Sequence, residues 1–133
     1  MEEPAGLAKK LQVKSGTRLR LINVPVKISN ALAESGIQAV KGRGAFDGAI
    51  AFCETPSDVA KYSTEIFAAL PEDGLLWFAY RKGDAAKKSG LSRDVGWDAL
   101  QAHGYRAVRS IAFDNEWTGL RFRPISKVKA RGG

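Results

Sequence analysis

Basic residues crowd one short stretch of the chain: Arg81, Lys82, Lys87, Lys88 and Arg93, with Asp84 the only acid before Asp94. Ser89 and Ser92 lie among them. Cationic side chains, hydroxyls and the free N–H groups of a helix start together stabilise an anion. Lys82, Lys88, Ser89, Ser92 and Arg93 therefore form a candidate anion-binding set. Trp97 follows Arg93 by one helical turn and adds an aromatic face suited to a phosphorylated or stacked ligand. The competing readings are structural: a solvated loop, and an Arg93–Trp97 pair packed on a neighbouring loop or chain. The stretch lacks the glycine–lysine–serine pattern of a phosphate loop.

Other chemistry is thinly represented. Cys53 and His103 are single residues, which excludes the usual zinc spacings. Cys53 sits inside an apolar run and reads as a buried, inert thiol in a reducing cytoplasm. His103 reads as the last residue of a helix, and the acids Asp114 and Glu116 as parts of a hairpin turn. No base–nucleophile pair, metal cluster or cofactor loop is visible, so no catalytic residue, metal or cofactor is expected.

The candidate loop needs a strand before it and a helix after it. Gly74-Leu75-Leu76-Trp77-Phe78-Ala79-Tyr80 is the densest apolar run and reads as a strand buried on both faces, at the centre of a sheet. Ser92 caps a helix that runs to about His103 and stops at Gly104, with Val95, Ala99, Ala102 and His103 inward. Upstream, Arg18–Val24 reads as a first strand ended by Pro25, Ile28–Ser35 as a helix, and Ile37–Val40 as a short strand near an edge. Ala49–Cys53 is a second buried strand. Thr55-Pro56-Ser57-Asp58 starts an amphipathic helix carrying Val59, Tyr62, Ile66, Ala69 and Leu70. Tyr105–Phe113 and Trp117–Arg123 make a terminal hairpin.

This order predicts an α/β fold: a mainly parallel sheet, helices on both faces and a C-terminal antiparallel hairpin. At 133 residues, one domain over 1–125 is expected, with 126–133 a basic flexible tail. No apolar stretch approaches the length of a membrane span and no signal peptide is visible, so a cytoplasmic protein without a membrane partner is expected. Lys and Arg outnumber Asp and Glu by 21 to 14, a net charge of +7. Arg121, Arg123, Lys127, Lys129 and Arg131 close the chain with no acid among them. Anionic partners follow from that clustering: a phosphate-bearing small molecule at the loop, or nucleic acid on loop and tail. Trp97 and the Trp117–Arg123 strand, read as an exposed edge, point to a homodimer.

Phe46-Asp47-Gly48-Ala49-Ile50-Ala51-Phe52, a helix, and then Leu70-Pro71-Glu72-Asp73-Gly74-Leu75-Leu76 resemble the second half of a methyltransferase-type Rossmann fold, here shortened. That resemblance implies a glycine-rich turn after the first strand and an acid after the second. Asn23-Val24-Pro25-Val26-Lys27 and Ala39-Val40-Lys41 stand there instead, so S-adenosylmethionine binding is not expected. Gly74–Tyr80 with Lys82, Leu91-Ser92-Arg93-Asp94-Val95-Gly96-Trp97 and Trp117–Pro124 resemble the bacterial domain of unknown function 3052 family, which implies no activity. The resulting expectation is a non-catalytic ligand-binding or interaction module with a degenerate nucleotide-binding fold. Nucleic-acid binding and a methyltransferase-like enzyme are the alternatives.

Overall fold

The computed structural model describes residues 16–40, 46–70, 74–82, 96–113 and 116–124. Within them the chain runs β1 (Arg18–Ile22), α1 (Val26–Glu34), β2 (Gln38–Val40), β3 (Gly48–Phe52), α2 (Pro56–Phe67), β4 (Leu75–Arg81), α3 (Asp98–Ala102), β5 (Tyr105–Ala112) and β6 (Trp117–Pro124). The strands form one six-stranded sheet in the order β2-β1-β3-β4-β6-β5. β2, β1, β3 and β4 are parallel, and β6 pairs antiparallel with both β4 and β5. The fold is thus the expected one, a mainly parallel sheet closed by an antiparallel hairpin.

The sheet separates two apolar layers because alternate strand residues face opposite ways. Ala49, Ala51, Leu76, Phe78, Leu120 and Phe122 face α2 and α3, which contribute Val59, Ile66 and Leu100. Leu19, Ile50, Phe52, Trp77 and Ala79 face α1, which contributes Ile28 and Leu32. Helices therefore cover both faces. β3 is buried along its whole length and β4 everywhere except its two ends, which is why both read as unbroken apolar runs.

Local chemistry sets the boundaries. The Thr55 hydroxyl accepts the Asp58 N–H at 3.2 Å, and the Asp58 carboxylate accepts the Glu54 N–H at 3.0 Å. With Pro56 at the first helical position, this is a complete start for α2. At the amino edge of the sheet, the Asp47 N–H donates to the Arg18 carbonyl and the Arg18 N–H donates to the Asp47 carboxylate. Hydrogen bonds from Arg18 hold that carboxyl below its ordinary value.

Two expectations about the helix after the loop are corrected. Helical geometry begins at Asp98, because Gly96 takes φ 100° and Trp97 lies outside helical φ/ψ. Leu100 is buried and Ala99 packs half-buried against the same layer, while Ala102 and His103 are exposed. His103 caps the short helix and stacks on Phe67, with ring centroids 4.2 Å apart. Residues 83–95, including Ser92 and Val95, lie outside the described residues, as do the expected tail and the turn at Asp114-Asn115.

β3 and β4 approach closely at Gly48, where a Cβ would lie 2.3 Å from the Leu75 carbonyl oxygen. Backbone cannot move aside as a flexible side chain can. Gly48→Ala should lower the unfolding free energy by about 1–3 kcal/mol, measured as a shifted denaturant midpoint with an unchanged slope.

Candidate functional site at the carboxyl edge of the sheet

The chain leaves β1 toward β2 on one side and reaches β3 on the other, so the strand order reverses between β1 and β3. In open α/β sheets such a reversal leaves a crevice outside the carboxyl ends of the two strands. Three strand ends meet along this edge: Asn23-Val24-Pro25 after β1, Cys53-Glu54-Thr55 after β3, and Arg81-Lys82 at the end of β4.

Asn23 is the non-glycine residue with positive φ among those described, at 56°. Left-handed backbone is costly for most L-residues and is tolerated by asparagine. The turn after β1 therefore has the left-handed residue that a glycine would normally supply. The Asn23 amide donates to the Tyr62 hydroxyl on α2, which ties the β1 turn across to the helix that follows β3.

Arg81 joins the other strand ends. Its Nε donates to Glu54 at 2.9 Å, its Nη1 donates to Glu116 at 3.4 Å, and its guanidinium lies 4.4 Å from the centroid of the Trp117 ring. Glu54 follows β3 and Glu116 precedes β6, so one side chain spans the ends of β3, β4 and β6. The carboxylates are exposed and the arginine is half-buried. In solvent such pairs contribute little stability, on the order of 0–1 kcal/mol each, and their partners exchange readily.

Cys53 follows β3 directly and is fully buried, with its N–H donating to the Ala79 carbonyl at 2.9 Å. Burial raises its thiol well above the ordinary value, and the Asp58 charge adds to the effect. It is neutral at physiological pH and unsuited to nucleophilic chemistry.

The anion-binding residues expected from sequence are only partly brought to this edge. Lys82 stands here half-buried, its N–H donating to the Glu116 carbonyl at 3.0 Å. Lys88, Ser89, Ser92 and Arg93 lie outside the described residues. Trp97 does not belong to a ligand face. It is 3% exposed and packs against Phe122, Tyr80 and Phe78 at centroid distances of 5.3, 5.9 and 6.1 Å. The left-handed Gly96 turns the chain before the helix starts and points the indole into the core. Trp117 is likewise buried, and β6 is hydrogen-bonded on both sides. Neither supplies the exposed surface on which a homodimer was expected. Sequence reasoning also missed Asn23 and Arg81 as organising residues. The only signal for Asn23 was a polar residue between an apolar strand and a proline.

No protein-family model matches the chain, and no curated protein sequence does. Solved structures do. The chain is similar to a putative type 11 methyltransferase from Sulfolobus solfataricus, with 9% identity over 89% of each chain and a TM-score of 0.57. A SAM-dependent methyltransferase from Aquifex aeolicus matches with 13% identity, 90% of this chain, 88% of that one and a TM-score of 0.57. Aeropyrum pernix fibrillarin in complex with natively bound S-adenosyl-L-methionine matches with 14% identity, 89% of this chain, 72% of that one and a TM-score of 0.54. The sheet has a methyltransferase-type Rossmann fold. At these identities the likeness concerns the fold.

The site makes one prediction about reactivity. Cys53 should resist an aromatic disulfide reagent in the native protein at pH 8 and react fully once guanidinium unfolds the chain. Rapid labelling of the native protein would contradict the burial that raises its thiol.

Proposed function

We propose that this chain is a methyltransferase-like domain that binds a nucleoside-bearing small molecule across the carboxyl ends of β1 and β3. The observation that carries the reading is the reversal of strand order between those strands, with Asn23 supplying a left-handed turn at that place. The fold of the methyltransferases that the chain resembles supports it, as does the S-adenosyl-L-methionine held by one of them. Asn23 removes part of the objection raised by the missing glycine. The objection from the second strand stands, because Val40-Lys41 offers no acid for ribose hydroxyls.

Binding without methyl transfer is the role that the edge favours. Among the described residues of that edge, Cys53 is buried and neutral. His103 lies at the opposite edge, two residues before Tyr105, which pairs with the end of β6. The second reading, a methyltransferase-like enzyme, rests on the fold likeness. The resemblance to the domain of unknown function 3052 family sits with either.

Calorimetric titration with S-adenosylmethionine, S-adenosylhomocysteine and ATP tests both. At least one should bind saturably with micromolar Kd. Asn23→Ala forces left-handed backbone on a residue that disfavours it by about 1–2 kcal/mol and should weaken binding several-fold. Binding of both S-adenosyl compounds would favour the enzyme, and ATP binding alone would favour the non-catalytic module. Heat from none of the three would remove the proposal.

A further inference from the structure

Glu54 is the second residue past β3, one of the two strands that flank the crevice. Its N–H donates to the Asp58 carboxylate at the start of α2, which ties down the backbone there. Its side chain is 62% exposed and meets Arg81, whose Nε donates to Oε1 at 2.9 Å. The other carboxylate oxygen, Oε2, accepts no hydrogen bond among the described residues. One oxygen of the carboxylate is therefore engaged and the other is open.

Arg81 orients that carboxylate. Its guanidinium lies over the buried Trp117 ring, so the group facing Glu54 has a rigid backing. Arg81 is in this sense a positioning residue. The surrounding charges also decide what kind of group can enter. A phosphate would meet the carboxylates of Glu54 and Glu116 on either side of one arginine, and the Asp58 carboxylate already occupies the start of α2. A cation would meet the guanidinium. A neutral group with hydroxyls to donate avoids both penalties and forms a charge-assisted hydrogen bond to Oε2.

We propose that Glu54 receives the vicinal hydroxyls of a ribose, so that the ligand of this edge is a ribonucleoside derivative and not a deoxyribonucleoside. The inference rests on the nucleoside reading of the edge. Dinucleotide-binding sheets place a carboxylate on the ribose 2′-hydroxyl, and the second strand here ends in Val40-Lys41 with none. Glu54 supplies the same chemistry from the end of β3, on the other side of β1. Because Glu54 is exposed, water competes for Oε2, and the discrimination against a deoxyribose is smaller than a fully buried carboxylate would give.

Calorimetry with adenosine and 2′,3′-dideoxyadenosine tests this on the parent, E54A and E116Q proteins. The parent should hold adenosine about tenfold more tightly than the dideoxy compound, as expected for a hydrogen bond to a charged group. E54A should bind the two compounds alike, at about the parent's affinity for the dideoxy compound. Its Tm should match the parent's, because the side chain is exposed and the residue's N–H still reaches Asp58. E116Q removes the other acid on Arg81 and should keep the parent's preference. The proposal is overturned if the parent binds both compounds alike, if E54A keeps the preference, or if E116Q loses it as E54A does. In each of those cases adenosine still binds, and the nucleoside reading of the edge stands. If adenosine does not bind the parent, both fall.

Discussion

β3 and β4 are hydrogen-bonded on both edges and covered on both faces, and the rest of the structure follows from that burial. A strand in this position has no solvent-facing side, so every side chain along it must be apolar or small. Ala49, Ala51 and Ala79 keep the layers close, and Phe52, Trp77 and Phe78 fill them. The remaining strands add outward from this pair, and the helices lie where apolar residues remain to be covered. At Gly48 the strands leave no room for a Cβ against Leu75.

What the sequence makes legible tracks this logic. The two central strands show because burial on both faces leaves unbroken apolar runs. The start of α2 shows because hydroxyl, proline and acid must stand at fixed offsets to satisfy free N–H groups. Trp97 misleads because a helical wheel assumes that the residue lies on a helix, whereas Trp97 stands between the left-handed Gly96 and the start of α3 at Asp98. The register of β5 against β6 is hidden for a related reason. A period-two reading slips by one residue at Val108, and only the pairing register restores it. β6 reads as one arm of a hairpin, but nothing in its alternation says that it also lies against β4.

The carboxyl edge is held by polar contacts that its own loops provide. Asn23 reaches Tyr62, and Arg81 reaches Glu54 and Glu116 across three strand ends. These groups are exposed or half-buried, so water already solvates them and an incoming molecule can exchange with it at modest cost. The apolar layers beneath hold the strand ends in place whether or not those contacts are made. The edge is therefore soft chemically and stiff geometrically.

The position of β6 has a consequence for how the protein comes into being. β5 precedes β6 in the chain, yet its one neighbour in the sheet is β6. A nascent chain that has emerged only as far as Ala112 holds β4 with one open edge and β5 with no strand beside it. Phe122, which packs on Trp97, is also still to be made. Completion of the sheet waits for the strand that is synthesised after its neighbours, and the contacts it makes reach far back along the chain. Such long-range pairing slows folding and leaves apolar edges exposed during translation. The interval between synthesis of β4 and arrival of β6 is when this chain most needs protection from its neighbours on the polysome.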